Sequence, residues 1–319
     1  MLIIHHWDTD GICSAAKLVK ELNVEGFVNM SPEIGDFSFS DRIREEAEKH
    51  DEIYVLDLNL PGEALSLRKK LVFIDHHIQE RIEDPLVQQI NPLVEGRDAK
   101  EFPSCSMVLA DHFRNMDWLG ALGAFGDIGD KAYEIPGVRE ALTDHGIPLS
   151  SALKMVELLD SNYLSVDRDA VEGAVMDLTR MEPSGILEHP GWARRSMEIE
   201  ESIKDAIDGL SEIGPFAYID IATPYNIISK LARRAVWELG YRGALVVNRD
   251  FHGMAQTYLR VSREAAERMN MSSVIARLRE MGINAGGKKE VVGSVYPRER
   301  IDEVLSLLRP IIEYEVQGG

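Results

Sequence analysis

Leu71-Val-Phe-Ile-Asp75-His76-His77 sets a short apolar run directly against an acid and two imidazoles. The run reads as a buried parallel strand that stops where the polar residues begin. The same pattern stands twice upstream. Ile53-Tyr-Val-Leu runs into Asp57, and Leu2-Ile-Ile runs through His5-His6-Trp7 into Asp8-Thr9-Asp10-Gly11. In open α/β sheets ligands bind beyond the carboxyl ends of the strands, so three strands would bring their acids to one edge. Asp127 ends the apolar run from Leu119 to Gly126 and could close the group from a helix or loop. Each element alone is weak. An aspartate after a strand commonly caps a helix, Gly11 could serve a turn, and adjacent histidines arise by chance. Their conjunction carries the reading.

Such a cluster is electrostatically unstable by itself, because like charges a few ångströms apart cannot all ionise without a compensating cation. Mixed carboxylate and imidazole ligation suits Mn²⁺, with Mg²⁺ or Zn²⁺ as alternatives. Two such ions would activate a water and stabilise the leaving oxygen in phosphoester hydrolysis.

Outward from these strands, the first half alternates apolar runs with amphipathic stretches, the pattern of an α/β domain with a parallel sheet. Helices are expected from about Ile12 to Leu22, from Ser40 as a cap, and from Pro61 to Lys70, with a further strand at Phe27–Met30. Helical periodicity dominates from about Ser104 to Thr179. Trp192 to about Ile213 reads as one long charged helix. A second α/β unit follows, with strands at Phe216–Ile221, Ala244–Val247 and Gln256–Val261 and a helix at Ile227–Leu239. The expected division is a domain over 1–190, a helical connector over 191–214, and a smaller domain over 215–319.

Composition narrows the classes. With 45% apolar and 28% charged residues, the 319-residue chain can bury a sizeable core. No apolar stretch reaches the roughly 18 residues of a membrane span, and the N-terminus lacks a basic leader. Two cysteines, Cys13 and Cys105, give no disulfide framework, so a reducing cytoplasm is the expected home. The net charge of −19 argues against polyanion binding in general. Its distribution softens that objection, because residues 224–319 hold 15 Lys/Arg against 11 Asp/Glu. A nucleic acid would be held by the C-terminal part.

Four motifs in order, His6-Trp-Asp8-Thr-Asp10-Gly11, Val55-Leu-Asp57, Phe73-Ile-Asp75-His76-His77 and Gly126-Asp127, make the chain resemble the DHH phosphoesterase superfamily, and within it the archaeal RecJ-like nucleases. The likeness continues into a DHHA1-like C-terminal unit. There Leu259-Arg260-Val-Ser262-Arg263 looks like the family's basic substrate-binding segment, and Ala285-Gly286-Gly287-Lys288 occupies the place of its glycine-rich stretch. The resemblance implies that Asp57 bridges two metals. Asp8 would complete one shell, joined by His6 or its rival His5, and Asp10, His76 and Asp127 would complete the other. Asp75 would orient His76 from behind, while His77 would face the substrate phosphate. Successive residues of extended chain point opposite ways, which would also split the two histidines' roles. The sequence departs from the family in two places. Ile4 stands where some branches place a metal-binding histidine, and Lys288 replaces a histidine after the glycines, a point charge without imidazole's directionality.

The resemblance implies a metal-dependent phosphodiesterase acting on single-stranded DNA or RNA as an exonuclease, with the smaller domain clamping the strand. A replication or repair protein could be a docking partner. The rival substrates are nanoRNA, a nucleotide phosphate or a cyclic dinucleotide. A third reading is a replication-associated scaffold that keeps the fold without catalysis.

Overall fold

A computed structural model describes residues 1–317, with side chains through 312. The chain divides into two compact units, Met1–Ser196 and Met197–Gly319.

The first unit is built on β1 (Leu2–His5), α1 (Thr9–Leu22), β2 (Val28–Met30), α2 (Asp41–Ala47), β3 (Ile53–Leu56), α3 (Pro61–Ser66), β4 (Leu71–Ile74) and β5 (Val87–Ile90). The five strands form one sheet in the order β2-β1-β3-β4-β5, every pairing parallel. Ile4 lies beside Val55 and Val55 beside Phe73, so the three acid-bearing strands are neighbours in register. Both faces of β1 are buried, and this is why its run is apolar without alternation. Leu2, Ile4, Val55 and Phe73 pack toward one face with Ile43 of α2 and Ala64 of α3. Ile3, Leu56 and Ile74 pack toward the other.

That second face is covered by α1 and by the helices that follow: α4 (Cys105–Phe113), α5 (Trp118–Ile128), α6 (Pro136–Asp144), α7 (Leu149–Leu164), α8 (Arg168–Arg180), α9 (Pro183–Glu188) and α10 (Pro190–Asp208). The helix from Pro61 stops at Ser66 rather than Lys70. The long charged helix stops at Asp208 rather than Ile213, and a strand begins three residues later. β5, Val-Gln-Gln-Ile, was not expected. It is a half-buried edge strand whose central glutamines conceal it.

The second unit holds β6 (Ser211–Ile213), β7 (Phe216–Ile221), α11 (Ile228–Trp237), β8 (Gly243–Phe251), β9 (Met254–Val261), α12 (Arg263–Ala266), α13 (Met271–Glu280), β10 (Asn284–Lys288), β11 (Val291–Pro297) and α14 (Ile301–Gln317). Its six-stranded sheet runs β10-β11-β9-β8-β7-β6, parallel only between β7 and β8. Among the described residues, no helix is long and apolar enough to cross a membrane. Cys13 and Cys105 are both buried and unbridged.

Candidate metal centre

The strand order reverses direction of growth at β1, so the crevice between the ends of β1 and β3 is the topological switch point. The acids meet there. Asp8 closes the loop after β1 and caps α1, its Oδ1 accepting from the Gly11 amide at 3.1 Å. Gly11 is not in a turn, as the sequence allowed, but in the first turn of α1. A methyl group at this position would land on the His6 carbonyl oxygen, so glycine lets the helix press against the strand end.

Asp57 follows β3 with a left-handed backbone, φ 59°, which aspartate tolerates better than most side chains. Its amide donates to the Ile74 carbonyl at 3.0 Å. The carboxylate is 3% exposed, and Oδ1 is buried with no hydrogen-bond donor. An anionic oxygen in that state is costly unless a cation meets it.

Three groups of donor atoms share this centre, each within 4.8 Å: His6, Asp8 and Asp57 in one, Asp10, His76 and Asp127 in another, and Asp57, Asp75, His76 and His77 in the third. His6 Nδ1 lies 2.8 Å from Asp8 Oδ2 and 3.8 Å from Asp57 Oδ2. His76 Nε2 lies 3.3 Å from Asp57 Oδ1 and 3.2 Å from Asp127 Oδ2. His5 turns away. It is fully buried, its Nδ1 paired with the His6 carbonyl oxygen and its Nε2 with Asn29.

Asp10 is held from behind by residues the sequence reading missed. Its Oδ2 accepts from the Cys105 amide at 2.6 Å and its Oδ1 from the Ser106 amide at 3.0 Å. These are unpaired donors at the start of α4, whose dipole also favours an anion there. Asp160 of α7 similarly fixes the start of α1, accepting from the Thr9 hydroxyl at 2.6 Å and the Thr9 amide at 3.2 Å.

Asp75 differs from the expectation. It does not brace His76. Its Oδ1 accepts from the amides of His76 at 2.7 Å and His77 at 3.0 Å, and lies 2.7 Å from His77 Nδ1. These bonds bend the chain out of the extended form, so the two imidazoles stand 4.3 Å apart rather than on opposite sides. Asp75 Oδ2 accepts from Gln79 at 2.7 Å, and Asn91, after β5, donates to the His77 carbonyl oxygen at 2.9 Å.

Electrostatics follow from this crowding. Burial, then the charges of Asp10, Asp8 and Asp127, push the Asp57 carboxyl well above its ordinary range. Burial and the charges of Asp10 and Asp8 push Asp127 up to about 10. Burial also raises Asp10. For Asp8 burial acts upward too, but the charge and hydrogen bond of His6 outweigh it and hold the group below the usual range. Burial lowers His76 against the pull of its acids. The donor set therefore fits hard or borderline divalent cations, and Asp57 Oδ1, which accepts no hydrogen bond and faces His76 Nε2, is where one would bind.

Close packing sets the acids. A methyl group at Gly123 of α5 would land on the Ser106 hydroxyl and 2.5 Å from Asp10 Oδ1. Gly123→Ala is expected to destabilise the fold by about 1–3 kcal/mol, because overpacking outweighs alanine's gain of about 1 kcal/mol in helix propensity. A lower denaturant midpoint checks this, and an unchanged or higher one would contradict it.

The second unit carries the expected substrate residues. Arg260 on β9 lays its guanidinium 4.9 Å from the Trp237 ring centroid, and Arg263 is almost fully exposed. Trp237 is itself exposed, unlike Trp7, Trp118 and Trp192, so it is not the core residue a tryptophan suggests. The Ser262 hydroxyl accepts from the Ala265 amide and so caps α12. Gly286 and Gly287 lie in β10, opposite Gly293 and Val292. A methyl group at Gly287 would strike the Val291 carbonyl oxygen, whereas one at Gly286 would meet open space. Lys288 ends the strand, exposed.

No family model and no curated protein matches the chain. Solved structures do. A DHH domain from a member of the S1p family of ribosomal proteins aligns at TM-score 0.67 and 16% identity, over 99% of this chain and 86% of that one. Exonuclease RecJ bound to manganese aligns at 0.58 and 16%, over 99% and 89%. The pGpG-specific phosphodiesterase PggH from Vibrio cholerae aligns at 0.51 and 12%, over 98% and 99%. At these identities the likeness establishes a DHH-type two-domain fold.

Proposed function

We propose that this chain is a metal-dependent phosphodiesterase, and that its substrates are single strands of DNA or RNA cut from an end. One observation carries the proposal: a buried carboxylate oxygen, Asp57 Oδ1, makes no hydrogen bond, with His76 Nε2 3.3 Å away, among five further acid and imidazole groups at the switch point. Divalent cations, Mn²⁺ foremost, would neutralise the cluster and supply an activated water and a Lewis acid for the leaving oxygen. Asp57 would bridge the ions, grouped with Asp8 and His6 on one side and, through its Oδ1 3.3 Å from His76, facing Asp10, His76 and Asp127 on the other.

The remaining work falls to residues around that centre. Asp75 holds His77 by Nδ1, and Nε2 has no protein partner among the described residues. His77 is then oriented to donate to a phosphate oxygen as charge develops on it. The Asp75 hydrogen bond foremost raises the His77 pKa, which extends upward the pH range in which the ring is protonated and donates from Nε2. Arg260, Arg263 and Lys288, with the Gly286 backbone, would hold the strand's phosphates. Gly286 leaves room for that approach.

A shorter substrate is the second reading, favoured by the net charge of −19 and by a fold shared end to end with a pGpG-specific enzyme. Digestion of end-labelled twenty-mers beside dinucleotides, in Mn²⁺, separates the two. Stepwise release of mononucleotides from the long strands is the expected result. Hydrolysis confined to dinucleotides would move the assignment to the second reading. An intact chain that binds no Mn²⁺ in calorimetry would leave only a scaffold.

A further inference from the structure

A line of aromatic contacts leads from the metal centre to solvent. The His6 imidazole, 2.8 Å from Asp8, lies 4.3 Å from the Trp7 ring. Trp7 is buried in the core, and its other neighbour is Phe37, 5.4 Å away and tilted by 56°. Phe37 is 63% exposed. The two steps place its ring within about 10 Å of the His6 ring, whose Nδ1 is 3.8 Å from Asp57 Oδ2.

We propose that Phe37 is the platform on which the nucleobase stacks when its phosphate sits at the Asp57 centre. This rests on the phosphodiesterase reading above and adds which residue receives the base of the nucleotide whose phosphate reacts.

Three features support a binding role over a stray surface phenylalanine, which alone would mean nothing. The ring is backed by an immobile one, since Trp7 is packed among core residues and cannot retreat. The loop carrying it is tied down on both sides. The Ser31 amide donates to Glu172 Oε1 at 2.9 Å and the Phe39 amide to Glu63 Oε2 at 2.9 Å, while Phe39 itself is buried. A platform fixed in advance loses little freedom on binding. The third feature is charge. Glu33 is ion-paired with Arg168 and Asp36 accepts from the Ser38 hydroxyl, and residues 31–40 hold no Lys or Arg, so the loop offers no basic group to a phosphate backbone and presents a ligand with the neutral aromatic face alone. Stacking is tolerant of base identity, because every base presents a π-face.

The test uses the full-length chain with Mn²⁺ and two probes, adenosine monophosphate and ribose 5-phosphate, which share the phosphate and differ in the base. Calorimetry on wild type, Phe37→Ala and Phe37→Trp gives the affinities. Phe37→Ala should weaken adenosine monophosphate binding about tenfold, within the span of aromatic–base stacking. It should leave ribose 5-phosphate affinity alone, and Phe37→Trp should restore the nucleotide affinity. An equal loss on both probes, or none on either, overturns the platform. A wild type that hydrolyses dinucleotides but binds the two probes equally also sinks the platform and spares the phosphodiesterase reading. A wild type that neither binds the probes nor hydrolyses twenty-mers or dinucleotides overturns both.

Discussion

Asp57→Asn should abolish hydrolysis while making the metal-free protein more stable. Asparagine is the informative substitution because it tolerates the left-handed backbone at this position, where most side chains are strained. It also removes the charge that sits at the meeting of the two ligand groups. Several kcal/mol of transition-state stabilisation would go with the cations, which corresponds to a rate loss of about 10³ or more. The stability gain follows from linkage. The Asp57 carboxyl lies well above its ordinary 3.8, for reasons of burial first and then neighbouring acids. A carboxyl raised in the native state binds more protons there than in the unfolded chain, so stability falls as pH climbs from the unfolded pKa toward the folded one. Metal-free wild type should therefore melt lower at pH 8 than at pH 5, and Mn²⁺ should raise the midpoint more at pH 8. Asp57→Asn should flatten the first slope and lose the second effect. A melting curve in which Mn²⁺ protects wild type and Asp57→Asn equally would contradict the assignment.

Asp75→Asn should lower kcat about 10²–10³-fold with smaller change in KM, the scale of losing one well-placed donor to a developing charge. Asp75 is fully buried, and although it groups with Asp57, His76 and His77, both of its oxygens are taken by hydrogen bonds from His76, His77 and Gln79. Its work is on His77, whose pKa it raises chiefly through the hydrogen bond to Nδ1. The protonated imidazole is lost as pH rises through that raised value, so activity should fall on the alkaline side. Asparagine removes the charge and moves that alkaline limb to lower pH. A pH–rate profile that keeps its limb in place, with only a scaled-down rate, would leave Asp75 a merely structural role. His77→Asn should cost as much alone as in combination with Asp75→Asn, since both act through one imidazole.

The sheet was legible where the strands are apolar on both faces. Leu2–His5, Ile53–Leu56 and Leu71–Ile74 announce themselves, and the acids after them come along at fixed offsets. What escaped lies at edges and at long range. β5 carries glutamines on a half-buried edge, and β10 carries two adjacent glycines, a residue type depleted in strands. Cys105, Ser106 and Asp160 act on Thr9 and Asp10 across 95 to 151 residues of chain. No local pattern reports such contacts. The histidine pair was misread for a local reason, because alternation assumes an extended chain and the Asp75 carboxylate bends it.

The adjacency of β1, β3 and β4 has one more consequence. Backbone ladders repeat about every 4.8 Å across a sheet, so the spacing of the acids is ruled by a lattice that loop substitutions do not alter. Loops can lengthen or shorten each side chain's reach, but the pitch between anchor points is inherited from main-chain pairing. Diversification of such a protein toward new ligands would thus proceed through its rim while the gap between its charges stayed constant.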